Sequence, residues 1–149
     1  MIDDYVDILL VEDNANDVEM TLYALERCEI TSPVRVVRDG AEALDFMFGR
    51  GLYAGRSLEN GPRMVLLDLK LPRVDGLEVL RQIKADALTS CIPVVVMTTS
   101  SEERDVKRAY RLGANSYIVK RMDFEKFAEA VRHVGNYWLR LNHPPMIGN

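Results

Sequence analysis

The sequence predicts an α/β fold, a doubly wound parallel sheet with helices on both faces. Five short runs of apolar and β-branched residues alternate with stretches in which apolar residues recur every three or four positions. Two of the runs, 64–67 (MVLL) and 94–97 (VVVM), are apolar throughout, as is typical of strands buried on both faces. Strands that alternate with helices through short connections favour right-handed crossovers, and therefore a parallel sheet.

The pattern places each element in order. We predict strands β1 to β5 at 7–11, 34–37, 64–67, 94–97 and 116–119. We predict helices α1 to α5 at about 15–28, 41–47, 77–86, 101–112 and 124–141. Asp39-Gly40 should turn the chain before α2, and Asp75 and Asp123 should cap α3 and α5. Residues 101–104 (SEER) should form a capping box at the start of α4, and Gly113 should end that helix.

The sequence also predicts the conformation of two segments outside the helices and strands, and the buried face of the last helix. Residues 49–62 contain four glycines and are predicted to form a long irregular loop. Residues 143–149 are predicted to form a short, loose tail. The apolar residues of α5 step by three or four positions and predict one buried stripe: Phe124, Phe127, Val131, Val134, Trp138 and Leu141.

Length and composition limit the possible functions. A chain of 149 residues is expected to form one domain (1–149), with its core at about 6–141. The net charge of −4 argues against nucleic-acid binding, and no apolar run is long enough for a membrane span. The N-terminal MIDDYVDILL is acidic where a secretory signal needs positive charge, and Cys28 and Cys91 are expected to be reduced thiols. We therefore expect a cytoplasmic protein that binds neither nucleic acid nor a membrane.

Asp68 directly follows the apolar run of β3. Pro72 cannot continue a central strand, so the strand must end near Leu69, and Asp68 lies at the edge of the sheet where α/β proteins bind ligands. The alternative is that Asp68 caps the next helix. Pro72 and Gly76 lie between Asp68 and the helical pattern, however, and Asp75 is better placed to be the cap.

Polar residues also end three other predicted strands. Glu12 and Asp13 follow β1, and Thr98 and Lys120 follow β4 and β5. Each has an ordinary alternative, such as a solvated turn, a strand-end cap or an exposed lysine. Together with Asp68 they predict a shared site, because the carboxyl ends of parallel strands meet at one edge of the sheet.

The predicted cluster has the chemistry to handle a phosphoryl group. Two carboxylates about 4 Å apart repel by about 4 kcal/mol at an effective dielectric constant of about 20, so three of them would either force protonation or recruit a cation. Oxygen ligands without histidine or cysteine favour Mg²⁺. Asp68 would attack phosphorus, Mg²⁺ and Lys120 would balance the oxyanion charge, and Thr98 would hydrogen-bond a phosphoryl oxygen.

The sequence resembles the receiver domain of bacterial two-component response regulators. The resemblance rests on Lys120 and three motifs: ILLVEDN (8–14), VLLDLKLPRVDG (65–76) and PVVVMTTS (93–100). It covers 6 to about 141, and the intervals of 30 residues from Asp68 to Thr98 and 22 from Thr98 to Lys120 match the family's usual spacing. It implies a flavodoxin-like (βα)5 fold with strand order 2-1-3-4-5.

The resemblance also implies a role for each site residue. Asp68 would be the phosphoacceptor, phosphorylated by a sensor histidine kinase. Mg²⁺ would be held by Glu12, Asp13, Asp68 and the backbone carbonyl of Lys70. Lys120 and Thr98 would stabilise the phosphoryl group, and Thr98 and Tyr117 would be the switch residues. The chain would not be an enzyme beyond Mg²⁺-dependent self-phosphorylation and autodephosphorylation.

Two positions depart from the family pattern. Arg121 follows Lys120 where the family usually has a proline in a cis peptide. A non-proline cis bond costs about 2.5–4 kcal/mol, so we expect either a trans bond with a rearranged β5–α5 loop or retained strain. Leu71 stands where many members have methionine, a change that we expect to be harmless.

A narrower resemblance is to stand-alone receivers that partner bacterial phytochromes. It rests on the 49–62 loop, the TTS at 98–100 and the extended last helix. It implies a light-sensing histidine kinase as partner and a homodimer through the α4-β5-α5 face. The residues expected on that face are Ala109, Tyr110, Tyr117, Phe124 and Phe127.

Other functions stay open at this point. A receiver without an output domain could be a phosphorelay intermediate or a phosphate sink. An aspartate-nucleophile phosphatase usually has a second acid two residues after the nucleophile, where this chain has Lys70. A flavodoxin-like cofactor carrier needs a phosphate-binding loop after β1, where Glu12 and Asp13 would repel phosphate.

Overall fold

Five parallel strands form one sheet in the computed structural model, which describes residues 5–120 and 123–145. The strands are β1 (Ile8–Val11), β2 (Val34–Val37), β3 (Met64–Leu67), β4 (Val94–Thr98) and β5 (Ser116–Val119). Their order is β2-β1-β3-β4-β5. The predicted fold class and the strand order implied by the resemblance are confirmed.

Helices cover both faces of the sheet. They are α1 (Ala15–Arg27), α2 (Gly40–Phe48), α3 (Gly76–Ala85), α4 (Glu103–Arg111) and α5 (Phe124–Asn136). Helices α1 and α5 pack against one face, and α2, α3 and α4 pack against the other. The two layers explain why the sheet core is apolar on both sides.

The three central strands are buried along their whole length. Alternate residues point to opposite faces, so β1 sends Leu9 and Val11 toward α2 and α3 and sends Ile8 and Leu10 toward α1 and α5. Each large apolar side chain that is fully buried contributes about 1.5–3 kcal/mol relative to an exposed one. The burial of these strands therefore stabilises the sheet from which the site loops extend.

Aspartates cap three of the helices. The side chains of Asp39, Asp75 and Asp123 accept hydrogen bonds from backbone N–H groups in the first turns of α2, α3 and α5. The caps predicted for α3 and α5 are confirmed. Asp39-Gly40 is more than a turn, because Asp39 caps α2 and Gly40 is the first residue of that helix.

The capping box predicted for α4 is wrong. The helix begins at Glu103, and the side chain of its N-cap residue, Glu102, makes no capping hydrogen bond. Instead, the Ser100 hydroxyl accepts from the Glu102 backbone N–H at 3.3 Å and donates to Asp105 Oδ2 at 2.6 Å. Gly113 follows the helix with φ +106°, as its predicted stop requires.

Residues 49–62 are more ordered than the sequence predicts. They contain two short 3₁₀ helices, Gly51–Tyr53 and Leu58–Asn60. Arg56 ties the segment to α2, because its Nε donates to the Phe46 carbonyl at 2.8 Å and its guanidinium carbon lies 4.0 Å from the centre of the Phe46 ring. The segment is held by side-chain contacts that glycine content alone does not reveal.

The apolar stripe predicted for the last helix is correct except at its end. Phe127 and Val131 are buried, whereas Leu141 is 75% exposed and Leu139 is buried in its place. The cause is a π-helical segment, Tyr137–Leu141, which follows α5. Its i→i+5 hydrogen bonds widen the turn and change which side chains face the sheet.

Two expectations from composition concern thiols and membranes. Cys28 and Cys91 are both free thiols. Within the described ranges, no helix combines the length and the apolar character needed to cross a bilayer. Part of the predicted tail, 146–149, lies outside the described residues.

Candidate functional site

The register of β1 and β3 brings two predicted site residues together. Val11 pairs with Leu67, so Glu12 and Asp68 leave neighbouring strands side by side. The Asp68 backbone N–H donates to the Val11 carbonyl at 3.1 Å, which continues the ladder past the end of β3. Asp68 is therefore fixed at the carboxyl end of the central strand, as the sequence predicts.

The register of β4 and β5 completes the same edge. Thr98 pairs with Val119, and the Lys120 backbone N–H donates to the Thr98 carbonyl at 2.7 Å. Thr98 is the last residue of its strand, and Lys120 is the first residue after β5. Both side chains are placed by backbone hydrogen bonds of the sheet.

The Lys120 ammonium group joins three carboxylates. Its Nζ donates to Asp17 Oδ2 at 2.9 Å, to Asp68 Oδ2 at 3.2 Å and to Glu12 Oε1. The Lys120 side chain is only 9% exposed, so these contacts are shielded from water. One cation is shared among three anions, and the excess negative charge can accept a second cation.

Burial and charge act together on the protonation of this cluster. Burial raises the pKa of Glu12 from 4.5 to about 7; the nearby Asp68 adds to the rise, and the hydrogen bond from Lys120 opposes it. Burial would lower the pKa of Lys120, but its hydrogen bonds to Glu12 and Asp17 outweigh burial and raise it. Lys120 therefore stays charged, while Glu12 holds a proton more readily than an exposed glutamate.

The acidic residues have the donor atoms that a magnesium site needs. Glu12, Asp13 and Asp68 each offer a carboxylate oxygen, and these oxygens lie within 4.8 Å of one another. Ligand oxygens at 2.0–2.1 Å from an octahedral Mg²⁺ lie about 2.9 Å apart when adjacent and about 4.2 Å apart when opposite, so the three carboxylates would move closer together around a bound ion. Lys70 lies next to them, because its backbone N–H makes a long contact of 3.5 Å with Asp68 Oδ1. The residues present fit the metal.

Two predicted switch residues lie beside the cluster. Thr98 is fully buried, and among the residues that the structure describes its Oγ1 has no hydrogen-bond partner. The Tyr117 hydroxyl donates to the Ser100 carbonyl at 2.9 Å, so the tyrosine is tied to the segment between β4 and α4. A buried hydroxyl without a partner is costly, and that cost would be relieved if Thr98 moved to donate to an acceptor.

Sequence reasoning missed Asp17. It lies in the first turn of α1, where the Asn14 side chain accepts from its backbone N–H at 3.0 Å. Because α1 begins just after Glu12 and Asp13, its first turn lies at the same edge of the sheet. Asp17 follows Asp13 by one helical turn, and this spacing was the signal in the sequence that could have identified it.

The structure corrects two residues of the predicted partner face. Ala109 and Phe127 are buried inside the chain, because each points from its helix toward the sheet. Phe124 packs beside Tyr23 of α1, with ring centres 5.4 Å apart, and so lies on the α1 side of α5. Tyr110 is 50% exposed, so a partner can reach its side chain.

The structure does not test the prediction made for the peptide bond between Lys120 and Arg121. Arg121 lies outside the described residues, and so does the peptide bond that joins it to Lys120. The rearranged loop or retained strain predicted there stays a prediction.

Comparison with known proteins agrees with the fold and identifies the family of the chain. The chain is thus an α/β protein with a parallel sheet. Carboxylates, a lysine and a buried threonine lie around Asp68 at one edge of that sheet. The chain belongs to the response regulator receiver domain family, whose profile matches residues 8–132. Receiver domains bind Mg²⁺ at an acidic pocket, and the cluster of Glu12, Asp13 and Asp68 is consistent with such a pocket.

Two curated relatives match almost the whole chain. One is a probable methanogenesis regulatory protein, FilR2 of Methanothrix harundinacea, 47% identical over 93% of this chain and 86% of FilR2. The other is the response regulator Rcp1 of Synechocystis, 39% identical over 89% of this chain and 88% of Rcp1.

Solved structures of similar proteins have the same fold. The phosphorylated cyanobacterial phytochrome response regulator RcpA is 39% identical, with a TM-score of 0.85 over 93% of this chain and 96% of RcpA. The Mn²⁺-bound form of Rcp1 is 36% identical, with a TM-score of 0.84 over 93% of this chain and 97% of Rcp1. The chain is thus similar to stand-alone phytochrome response regulators.

Proposed function

We propose that this chain is a single-domain response regulator in which Asp68 accepts a phosphoryl group from a sensor histidine kinase. The observation that carries the proposal is the ammonium group of Lys120, 3.2 Å from Asp68 Oδ2 inside a cluster with Glu12. This arrangement puts a fixed positive charge beside a nucleophile that is otherwise surrounded by acids. Family membership supports the same role.

The proposed reaction transfers the phosphoryl group from histidine to aspartate. A carboxylate oxygen of Asp68 attacks phosphorus, the new P–O bond forms as the P–N bond breaks, and the imidazole leaves with that electron pair and takes up a proton. Lys120 would balance charge on a phosphoryl oxygen. Mg²⁺ held by Glu12, Asp13, Asp68 and the Lys70 carbonyl would neutralise further negative charge.

The proposed switch begins at Thr98. A phosphoryl oxygen is an acceptor for its buried hydroxyl, which has no partner in the described part of the chain. Movement of Thr98 would change the segment that holds the Tyr117 hydroxyl through Ser100. The signal would then reach the α4-β5-α5 face.

We further propose that this face forms a symmetric homodimer. Helix α4 carries acids in its first turn, Glu103 and Asp105, and bases in its last turn, Arg108 and Arg111. Two copies of α4 that pack antiparallel about a two-fold axis would place each acidic end against a basic end. The exposed Tyr110 would supply an aromatic contact near the axis.

Two further proposals concern the type of kinase that phosphorylates the chain and the cellular location of the chain. We propose a phytochrome-type kinase, because the solved structures that support the fold include phytochrome response regulators. We also propose that residues 1–149 act as one receiver domain in the cytoplasm, where the kinase can use ATP. Roles as a phosphorelay intermediate, a phosphate sink or an aspartate-nucleophile phosphatase are the alternatives.

The first test is incubation with acetyl phosphate and Mg²⁺, followed by intact-mass measurement. We expect a gain of about one phosphoryl group in the wild type, no gain in Asp68→Asn, and no gain when EDTA replaces Mg²⁺. Asp45→Asn is the matched control, because the Asp45 carboxylate forms a surface ion pair with Arg50 at 4.0 Å, which contributes little to stability. A gain that persists in Asp68→Asn would overturn the assignment, and continuous release of phosphate at enzymatic rates would favour a phosphatase.

The dimer and the kinase need separate tests. Light scattering with and without beryllofluoride, a phosphoryl mimic, should give a dimer that Tyr110→Arg converts to a monomer. A wild type that is monomeric at high concentration in both states would contradict the dimer. Phosphotransfer from a phytochrome kinase should be faster than from a sensor kinase of another class, and equal rates would contradict the phytochrome assignment.

A further inference from the structure

A cavity of about 440 Å³ lies at the edge of the sheet opposite to Asp68, where the strands begin. The Tyr5 ring and four prolines contribute to its walls: Pro62, Pro93, Pro144 and Pro145. Asp7 precedes β1 and Glu12 follows it, and an extended strand puts their Cα atoms roughly 16 Å apart. The cavity is therefore separate from the acidic site, and its volume is in the range of small-molecule pockets.

Asp7 is a buried acid that lines this cavity. It is 7% exposed, and its Oδ1 is inaccessible and has no hydrogen-bond partner among residues 5–120 and 123–145. The Tyr5 hydroxyl bonds to the Asp7 carboxylate, and this bond together with the negative charge raises the pKa of Tyr5. Buried carboxylates are normally paired or fully hydrogen-bonded, and this one is only partly satisfied.

The charges and walls of the cavity define the kind of ligand that fits. Its charged lining residues are Asp7, Glu59 and Arg63, which leave one net negative charge. A cation in the cavity would be attracted by the negative charges of Asp7 and Glu59, and Tyr5, which also lines the cavity, is an aromatic residue of the kind that contacts cations. Proline rings and Ile92 suit a flat apolar body attached to the cation. We propose that this cavity is a binding site for a small organic cation, an amidine or amine on a compact apolar group.

Benzamidine and benzamide are matched probes for this proposal. They have nearly the same shape, but only benzamidine is charged at neutral pH. Backbone NMR titration of the wild-type chain should show saturable shifts at Tyr5, Asp7 and Ile92 with benzamidine, and affinity for benzamide should be at least about tenfold weaker. Asp7→Asn should weaken benzamidine binding by a similar factor, and Asp45→Asn should leave it unchanged.

Cysteine chemistry gives a second readout in the wild type. Cys91 is exposed at the cavity, whereas Cys28 lies elsewhere, half-buried, with its thiol 3.8 Å from the Ala128 carbonyl. Benzamidine should slow alkylation of Cys91 by iodoacetamide and leave the rate at Cys28 unchanged. The proposal is overturned by equal binding of the two probes, by no saturable shift, or by slowing at both thiols alike. The probe pair decides the question in the wild type even if Asp7→Asn does not fold.

Discussion

Replacing Glu12 by glutamine should stabilise the folded chain above pH 7 when Mg²⁺ is absent. Glu12 is buried beside Asp68 and shares the Lys120 ammonium with Asp17 and Asp68. Its ionised form is therefore unfavourable in the folded state, in spite of the hydrogen bond from Lys120. Glutamine has nearly the same shape and never ionises, so it removes this cost.

The direction with pH follows from the raised pKa of Glu12. A carboxyl group whose folded-state pKa is about 7 rather than 4.5 contributes stability that is fully present below pH 4.5 and is lost as the pH rises through 7. The full loss is at most about 3 kcal/mol, since one pKa unit corresponds to about 1.4 kcal/mol. Relaxation of the site lowers this figure, so we expect Glu12→Gln to gain about 1–3 kcal/mol at pH 8 and less than about 1 kcal/mol at pH 5.

Urea unfolding followed by circular dichroism measures this effect directly. Wild type, Glu12→Gln and the control Asp13→Asn are compared at pH 5 and pH 8 in EDTA. Asp13 is exposed, so its replacement should change the free energy of unfolding by less than about 1 kcal/mol. Added Mg²⁺ should stabilise the wild type more than Glu12→Gln, because glutamine is a weaker ligand.

Two results would refute this reasoning. One is a Glu12→Gln variant that is less stable than the wild type at pH 8 in EDTA, which would mean that the Lys120 contact outweighs burial. The other is a stability difference that is the same at pH 5 and pH 8, which would mean that Glu12 is already ionised throughout this range.

Three further substitutions test the site and the core. Thr98→Val should raise the free energy of unfolding by about 1 kcal/mol in urea denaturation, because it removes a buried hydroxyl without a partner in the described chain; a loss of stability would show that the hydroxyl is bonded. Gly76→Ala should cost about 1–3 kcal/mol and slow phosphorylation by acetyl phosphate, because its Cβ would lie 2.3 Å from the Asp68 carbonyl oxygen. The control Gly55→Ala meets no atom within 4 Å and should cost only the strain of its positive φ, about 1–2 kcal/mol, without slowing phosphorylation. Leu80→Ala should cost about 2–5 kcal/mol by thermal or urea unfolding, since Leu80 is fully buried, and a cost below 1 kcal/mol would contradict its place in the core.

The sequence by itself determined the order of the elements and the positions of most site residues. Apolar runs that end in a polar residue are local signals, and β2, β3 and β5 have the predicted bounds. Glu12, Asp68 and Lys120 could be predicted to meet because each follows a strand, and all strands of a parallel sheet end at one edge. The topology of a parallel sheet was enough to predict that these strand ends lie close together, and no knowledge of side-chain packing was needed.

The tertiary structure alone decided which side chains share a contact or face solvent. The spacing of Asp17 from Glu12 and Asp13 places it near the sheet edge, but its contact with Lys120 depends on how α1 packs over that edge. The burial of Ala109 depends on the rotation of α4 about its axis, which its sequence pattern did not fix, whereas the burial of Phe127 agrees with the apolar stripe of α5 and excludes that residue from the partner face. Leu139 replaces Leu141 in the core because the last turns are π-helical, a choice made by packing against the rest of the fold. These features arise from contacts between residues distant in sequence, and for that reason only the folded chain reveals them.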